Sequence, residues 1–305
     1  MSTFTELGLR AELLQAIEAL GFEQATPVQS ETIPILLEAK GQTDMVALAQ
    51  TGTGKTAAFG LPLLHMLLED GEPSAKNRPK ALILAPTREL CVQISTEMEK
   101  YATETGLRML AVYGGAAMRT QITAMKKGVD ILMATPGRLL DLNRQGQVLF
   151  DDLEYIILDE ADEMLSMGFK DDLDAILETS PEEKQTLLFS ATMPVKIREL
   201  ARKILFQPVE INIAISKPPD QIVQRVFFVY ETQKIPLVAH LLKEGKQTDV
   251  LVFCSGKLSV KQLTRELKRL RFNADEIHSD LEQEQREEVL SRFRSGKLGI
   301  LVATD

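Results

Sequence analysis

Residues 45–56 read MVALAQTGTGKT, and this stretch carries the strongest signal for the fold. The apolar run MVALA predicts a buried β-strand, and AAFGLPLLHMLLE, directly after the stretch, predicts a helix. A glycine-rich turn between a strand and a helix is the context of a phosphate-binding loop. Gly52 and Gly54 would let backbone amides face phosphate oxygens, Lys55 would add a positive charge, and Thr56 could ligate Mg²⁺. The alternative is a turn without a ligand, because the loop begins with Ala where the general pattern has Gly.

Residues 155–162 read YIILDEAD and place acidic residues at the end of another apolar run. Ligands of parallel sheets gather beyond the carboxyl ends of the strands, so Asp159 and Glu160 are expected at that edge. With a phosphate-binding loop nearby, Asp159 would hold Mg²⁺ and Glu160 would activate the attacking water. The alternative is that both acids only begin the next helix, where the helix dipole favours negative charge.

Short apolar runs alternate with amphipathic helical patterns along the chain, which predicts βαβ units and a parallel sheet. The predicted strands of the first part are MVALA, ALILA, MLAVY, ILMA, YIIL and TLLF, and those of the second part are RVFFVY (225–230), DVLVFC, ADEIH and GILVATD (299–305). Between the two parts, the stretch 206–220 has three prolines and no periodicity. We therefore predict an α/β protein with a first domain at 1–207, a linker at 208–220 and an incomplete second domain at 221–305. Two tandem units also predict a ligand-binding cleft between them.

Composition excludes several classes of protein. The 305 residues are 44% hydrophobic with a net charge of −9, which argues against nucleic-acid binding through a broad positive surface but not against local contacts. No run is apolar enough to span a membrane and the N-terminus lacks a signal-peptide pattern, so we expect a cytoplasmic protein without membrane contact. Cys91 and Cys254 are expected to be small core residues, and a zinc site is not expected.

Five motifs resemble those of the DEAD-box RNA helicases in order and approximate spacing: AQTGTGKT (49–56), PTREL (86–90), TPGR (135–138), DEAD (159–162) and SAT (190–192). The stretch GFEQATPVQ (21–29) is similar to the adenine-reading Q motif of that family. The resemblance runs from residue 4 to the end of the chain. It implies two RecA-like P-loop domains that close over ATP, Mg²⁺ and single-stranded RNA, with Lys55, Asp159 and Glu160 as the catalytic residues.

The resemblance also implies which residues contact the nucleotide. Gln29 would hydrogen-bond the adenine edge, Phe22 would pack on the base, and Phe4 is placed like the family's upstream aromatic residue. The loop residues expected to contact the phosphates are Thr51, Gly52, Thr53, Gly54, Lys55 and Thr56, and those expected to ligate the metal are Thr56 and Asp159. The alternative for Gln29 and Phe22 is a helix-capping glutamine and a core phenylalanine.

Further positions match family residues that bind RNA or couple RNA to the nucleotide. The RNA-binding positions are Arg88, Gly115, Thr135, Arg138 and Thr304, which would hold phosphates without reading sequence. The coupling positions are Asp162, Ser190 and Thr192. Alternatively, the two arginines lie on solvated helix starts, and the SAT hydroxyls only cap the helix that begins near Pro194.

The second part matches the family less completely. VFCSGK (252–257) and HSDLEQEQR (278–286) resemble its motifs, with Ser279 in place of a glycine, and ATD (303–305) resembles the start of its fifth motif. A basic stripe on one predicted helix consists of Lys257, Lys261, Arg265, Lys268 and Arg269. It either borders the RNA path or is an ordinary solvated face.

The expected function is an ATP-dependent RNA helicase that binds single-stranded RNA without sequence preference and locally unwinds short duplexes. Protein partners in an RNA-processing assembly are compatible with this function. The arginine-containing motif that follows ATD in the family is missing from the 305 residues, so we expect this chain to bind ATP but to hydrolyse it poorly. The alternatives are a non-catalytic RNA clamp and a P-loop ATPase that acts on DNA or protein.

Overall fold

The computed structural model describes residues 2–213, 223–245 and 249–304. The chain divides into two compact units, Met1–Lys217 and Pro218–Asp305. Each unit contains a parallel sheet with helices, so the predicted α/β class is confirmed. In the part of the chain that the structure describes, no helix has the length and apolarity to cross a membrane.

The sheet of the first unit has seven parallel strands in the order β3-β4-β2-β5-β6-β1-β7. The strands are β1 Met45–Leu48, β2 Ala81–Leu84, β3 Met109–Val112, β4 Ile131–Ala134, β5 Tyr155–Leu158, β6 Gln185–Ser190 and β7 Val209–Asn212. The first six coincide with the predicted apolar runs. β2, β4 and β6 are buried along their whole length, as expected for strands covered on both faces.

The helices of the first unit cover both faces of this sheet. After a short 3₁₀ helix at Phe4–Leu7, they are α1 Ala11–Ala19, α2 Pro27–Ala39, α3 Lys55–Asp70, α4 Arg88–Tyr101, α5 Met118–Met125, α6 Pro136–Arg144, α7 Ala161–Ser166, α8 Lys170–Glu178 and α9 Val195–Ile204. One apolar core contains the buried residues of α1 to α4, and a second contains those of α5 to α9. In the first core, the rings of Phe59 on α3 and Phe189 on β6 meet edge to face at 5.2 Å.

The order of the strands brings the motifs to one edge of the sheet. β6 lies between β1 and β5, with Leu48 paired to Ser190 and Leu158 paired to Leu188. All three strands are parallel, so the segments that follow them leave from the same edge. The glycine-rich loop, the DEAD sequence and the SAT sequence therefore begin side by side.

The second unit has a three-stranded parallel sheet in the order β8-β10-β9. Its elements are α10 Glu231–Gly245, β8 Val250–Phe253, α11 Lys257–Arg269, β9 Ala274–Ile277, α12 Gln283–Arg294 and β10 Ile300–Ala303. Three of the four predicted strands are present. The predicted run 299–305 forms β10 at 300–303, and its last residue lies outside the described residues.

The prediction of a strand at 225–230 is wrong. This segment has no regular structure, and Val226, Phe228 and Tyr230 are 81%, 97% and 81% exposed. Within the described residues, β8 pairs only with β10, and the segment 225–230 pairs with no strand. Strand propensity reflects packing against neighbours, and the apolar sequence RVFFVY does not itself supply a neighbour.

Part of the predicted linker is a strand. Val209–Asn212 forms β7, which pairs with β1 at the edge of the sheet. Ile211 is 4% exposed, whereas Glu210 and Asn212 are exposed, and this alternation is typical of a half-buried strand. Residues 214–220 lie outside the described residues, so the rest of the linker at 208–220 stays a prediction.

Candidate functional site

The glycine-rich loop has the backbone that its sequence predicts. It joins the end of β1 to α3, which begins at Lys55. Gly52 and Gly54 have φ of 81° and 88°, a region that L-residues with side chains rarely adopt. The Thr53 hydroxyl donates to the carbonyl of Gln50 at 2.7 Å and so closes the turn. The loop is thus held in shape without a ligand.

Lys55 and Asp159 form a buried ion pair at the centre of the site. The distance between Lys55 Nζ and Asp159 Oδ1 is 3.6 Å, and the two side chains are 5% and 3% exposed. No described residue accepts a hydrogen bond from Lys55 Nζ. Burial raises the pKa of Asp159 to about 6; the Lys55 ammonium opposes this rise, and the Glu160 carboxylate adds to it. Neither charge is fully compensated, as expected where a charged ligand completes the site.

The Asp159 carboxylate fits a magnesium site in which the protein supplies some of the ligands and a nucleotide supplies others. Among the described residues, no group of three or more His, Cys, Asp or Glu could hold a metal ion without other ligands. Mg²⁺ is usually bound through one or two carboxylates together with phosphates and water. Asp159 and the Thr56 hydroxyl, which both line the cavity described below, would be the protein's share of such a set.

A cavity of about 450 Å³ connects the predicted nucleotide-binding residues. Of those predictions, it is lined by Phe4, Phe22, Gln29, Thr51, Gly52, Gly54, Lys55, Thr56, Asp159 and Glu160, and Thr53 is the one that does not line it. Phe22 is 50% exposed, in contrast to the core position proposed as its alternative, whereas Phe4 is 5% exposed. The cavity thus combines a charged end at Lys55 with an aromatic end at Phe22.

One wall of the cavity was not predicted. It is formed by Ile17 of α1, by Leu20 directly after that helix, and by residues of α4, namely Leu90, Gln93, Glu97, Lys100 and Tyr101. Apart from Leu90, the last residue of PTREL, these residues belong to no motif, and the apolar ones have the spacing of ordinary core positions. Only the packing of α1 against α4 brings them beside the loop.

Gln29 is both a helix cap and a contact of the glycine-rich loop. Its Oε1 accepts from the Thr26 amide at 2.9 Å, within a capping box that begins α2. Its Nε2 donates to the Gly54 carbonyl at 3.1 Å. An amide side chain has two N–H donors and two acceptor lone pairs, so one donor and one acceptor remain for a base edge. A Cβ at Gly54 would lie 2.3 Å from Gln29 Nε2, which explains why this position is glycine.

Glu160 has an unusual backbone and points its carboxylate at the loop. Its φ and ψ are 51° and 50°, the left-handed region, although it is not glycine. It occupies the N-cap position of α7, but its side chain makes no capping hydrogen bond. Instead, Glu160 Oε1 accepts from the Thr51 hydroxyl at 3.2 Å. The acid therefore does more than begin a helix, and strained backbone of this kind is concentrated at functional sites.

Asp162 is joined to the SAT sequence by a hydrogen-bond network. Its Oδ2 accepts from the Thr192 amide at 3.0 Å and from the Thr192 hydroxyl at 2.7 Å, and the Ser190 hydroxyl donates to the Thr192 carbonyl at 2.8 Å. Burial alone would raise the pKa of Asp162, but hydrogen bonds from Thr192 and Ser190 outweigh it and lower this pKa. The N-cap of α9 is Pro194, which receives no side-chain capping bond. The SAT hydroxyls therefore connect to Asp162 rather than cap α9.

Four predicted RNA-binding residues follow β2, β3 and β4 at the same edge of the sheet. Arg88 begins α4 beside Gly115, where φ is 88° and a Cβ would lie 2.2 Å from Arg88 Nη1. Arg138 donates to the Ala116 carbonyl at 3.2 Å and to Gln121 Oε1 at 2.9 Å. Thr135 is 8% exposed and precedes α6. Arg88 and Arg138 therefore both contact the backbone that follows β3.

The predicted residues of the second unit make mainly structural contacts. The Thr304 amide donates to the Ile277 carbonyl at 3.4 Å. In the basic stripe, Lys257 and Lys261 both pair with Asp280, at 2.8 and 2.9 Å, and Lys268 pairs with Asp275 at 2.9 Å. These ion pairs favour a solvated, partly neutralised face, and the RNA path along the stripe stays a hypothesis.

Comparisons with known proteins identify two family regions. The sequence model described as DEAD/DEAH box helicase matches residues 26–200, and the model described as helicase conserved C-terminal domain matches residues 233–305. The ATP-dependent RNA helicase CshA of Listeria monocytogenes is 42% identical over 306 aligned residues, which include 100% of this chain and 57% of that protein. CshA of Streptococcus pneumoniae is 43% identical over 99% of this chain and 56% of that protein. The chain thus spans a little over half the length of these curated relatives.

Two solved structures are similar to the chain. A DEAD box protein from Methanococcus jannaschii is 40% identical with a TM-score of 0.65, over 99% of this chain and 80% of that one. A Dbp5 variant from S. cerevisiae, bound to RNA and ADP BeF3, is 26% identical with a TM-score of 0.85, over 100% of this chain and 76% of that one.

Proposed function

Because the chain belongs to the DEAD/DEAH box helicase family, we propose that it is part of an ATP-dependent RNA helicase. The observation that carries this proposal is the meeting of Lys55, Asp159, Glu160 and Gln29 around one cavity. A base at the aromatic end and a triphosphate at the charged end would together match that cavity. The Dbp5 variant, which is similar to this chain with a TM-score of 0.85, has RNA and ADP BeF3 bound.

Each residue of the charged end has a chemical role in phosphate transfer to water. The Lys55 ammonium has no hydrogen-bond acceptor among the described residues, and it would neutralise the negative charge that develops on the phosphate oxygens. Asp159 and Thr56 would hold Mg²⁺, which supplies further charge neutralisation on the phosphates when bound. Glu160 would accept the proton of the attacking water, and its carboxylate already lies beside the loop at Thr51. Gln29 would orient the base while it holds the Gly54 carbonyl.

The Asp162 network offers a route by which RNA affects this chemistry. Asp162 lies two residues after Glu160, and both its hydrogen bonds to Thr192 end on the segment after β6. Arg88 and Arg138 lie along the same sheet edge and would grip phosphates without distinguishing sequences. The proposed substrate is therefore RNA of any sequence, single-stranded or in short duplexes that the cycle opens locally.

Two variants with opposite expectations test the function. Glu160→Gln should bind a fluorescent ATP analogue and RNA like the wild type but should stop ATP hydrolysis. Lys55→Ala should weaken nucleotide binding itself, because the amides of the loop remain but the ammonium is lost. If Glu160→Gln hydrolyses ATP at the wild-type rate, the proposed role of the DEAD sequence is refuted.

Two further measurements define the extent of the activity. RNA binding that needs ATP but leads to no measurable hydrolysis would indicate a clamp instead of a helicase. We also propose that the 305-residue chain hydrolyses ATP slowly, which single-turnover measurements with excess protein would detect. Fast RNA-stimulated turnover by this chain would contradict that part of the proposal.

A further inference from the structure

The hydroxyl of Thr51 connects two motifs that lie 109 residues apart in the sequence. It donates to Glu160 Oε1 at 3.2 Å. Thr51 is in the glycine-rich loop, and Glu160 is the residue proposed above to activate water. In the sequence pattern, Thr51 is one of several loop residues expected to contact phosphate, and the pattern does not predict a contact between its hydroxyl and Glu160.

The backbone of Glu160 is fixed independently of this contact. Its amide donates to Asp159 Oδ1 at 3.0 Å, and its carbonyl accepts from the amides of Glu163 and Met164 at 3.0 and 3.1 Å. These bonds hold the left-handed conformation that places the side chain beside the loop. These bonds do not fix the side-chain torsions of Glu160. Among the described residues, its carboxylate has one hydrogen-bond donor, Thr51.

The two threonines on either side of Gly52 use their hydroxyls differently. Thr53 donates to Gln50 within the loop at 2.7 Å and therefore helps to shape the turn. Thr51 donates out of the loop, to an acid that follows another strand. Removal of the Thr53 hydroxyl should change the loop and its affinity for phosphates, whereas removal of the Thr51 hydroxyl should change the placement of Glu160.

We propose that Thr51 is a positioning residue for Glu160: its hydroxyl holds the carboxylate at the loop, where the attacking water must lie. This inference rests on the proposed function, because it assigns Thr51 to the water-activating step. Without the hydroxyl, the partly exposed carboxylate samples other rotamers and is less often in place for proton transfer. The backbone amide of Thr51 is unchanged by a side-chain substitution, so nucleotide affinity should be retained.

The test compares Thr51→Val, Thr51→Ser and the matched control Thr53→Val in the full 305-residue chain. Valine keeps the branched shape of threonine and lacks the hydroxyl, and serine restores the donor. Thr51→Val should lower the single-turnover rate constant for ATP hydrolysis about tenfold, the scale of one hydrogen bond to a charged group, with the dissociation constant for a fluorescent ADP analogue unchanged. Thr51→Ser should return the rate to near the wild-type value. Thr53→Val should instead weaken ADP binding.

A second readout needs neither nucleotide nor turnover. In the nucleotide-free chain with ¹³C-labelled glutamate, the carboxyl resonance of Glu160 is identified by its loss in Glu160→Gln. Thr51→Val should shift this resonance, and Thr53→Val should not. An unshifted resonance in Thr51→Val overturns the proposed contact. An unchanged hydrolysis rate in Thr51→Val, or a loss that appears only as weaker ADP binding, overturns the positioning role.

The results that would refute the proposed function differ from those that would refute the role of Thr51. A wild-type chain that binds the ADP analogue and hydrolyses no ATP under single-turnover conditions overturns the proposed function, and with it this role of Thr51. A wild-type chain that hydrolyses ATP, together with a Thr51→Val variant that matches it, overturns the role of Thr51 alone.

Discussion

Replacement of Asp159 by asparagine should stabilise the nucleotide-free protein while it removes the activity. The carboxylate is buried beside Lys55, and burial dominates its environment strongly enough to raise its pKa from 3.8 to about 6. At neutral pH the native state therefore contains an ionised Asp159, which lowers the free energy of unfolding. Asparagine resembles the protonated acid in shape and carries no charge, so Asp159→Asn should remove this destabilisation.

The magnitude follows from the two pKa values. A rise from 3.8 to about 6 corresponds to about 3 kcal/mol at neutral pH, since each pKa unit is worth about 1.4 kcal/mol. The folded-state pKa is raised, so the wild type loses stability as the pH rises from about 4 through about 6. Below pH 4, Asp159 is protonated in both the folded and unfolded states. The advantage of Asp159→Asn should therefore be largest at pH 7 and should vanish near pH 4.

Scanning calorimetry of the nucleotide-free chain at several pH values measures this advantage. For a unit of 217 residues, 1 kcal/mol shifts the midpoint by about 2–4 °C, so about 3 kcal/mol should raise the midpoint by about 6–12 °C at pH 7. The matched control is Asp130→Asn, for which the expected change in stability has the opposite sign. Burial would raise the pKa of Asp130, but hydrogen bonds from Arg108 and from backbone amides outweigh it and lower this pKa to about 2. Asp130→Asn should therefore destabilise the protein at neutral pH. A lower or unchanged midpoint for Asp159→Asn at pH 7 would refute the dominance of burial over the Lys55 attraction.

Three further substitutions test other contacts of the site. Thr192→Val removes the 2.7 Å hydrogen bond to Asp162, so RNA should stimulate ATP hydrolysis about tenfold less while nucleotide affinity is retained; equal stimulation would contradict the coupling role. Gly115→Ala places a Cβ 2.2 Å from an Arg88 nitrogen, so RNA affinity measured by fluorescence anisotropy should fall with no change in ATP affinity, and unchanged RNA affinity would remove Arg88 from the RNA site. Gln29→Ala leaves the base edge without its amide, so competition between ATP and GTP for binding should lose its preference for ATP; a retained preference would mean that other groups read the base.

The sequence predicted the parts of the site that depend on short stretches of sequence and on the class of the strands. The loop at 49–56 needs glycines at two left-handed positions, and Gly52 and Gly54 occupy them. The apolar runs that form β1 to β6 are uninterrupted, and those of β1, β2, β4, β5 and β6 each lead into a motif. Because parallel strands end at one edge, the approach of Asp159 to Lys55 could be anticipated from the strand class alone.

Features that depend on tertiary neighbours could not be predicted. The segment 225–230 has the composition of a strand, but no strand in the described part of the chain pairs with it. The residues 209–212 look like linker beside Pro208, but β1 offers them an open edge. The left-handed backbone of Glu160 is also invisible in the sequence, because glutamate seldom adopts it and only the contacts around the site maintain it.

The position of β6 between β1 and β5 sets the length of the path for communication between the two motifs. Ser190 ends β6 beside Leu48, the last residue before the glycine-rich loop, and Thr192 binds Asp162 on the other side. Adjacent strands lie about 5 Å apart, so the ends of β1 and β5 are only two strand spacings, about 10 Å, apart, and side chains from the two motifs meet across this gap. The terminus of a single strand therefore links the segment after the phosphate loop's strand to Asp162.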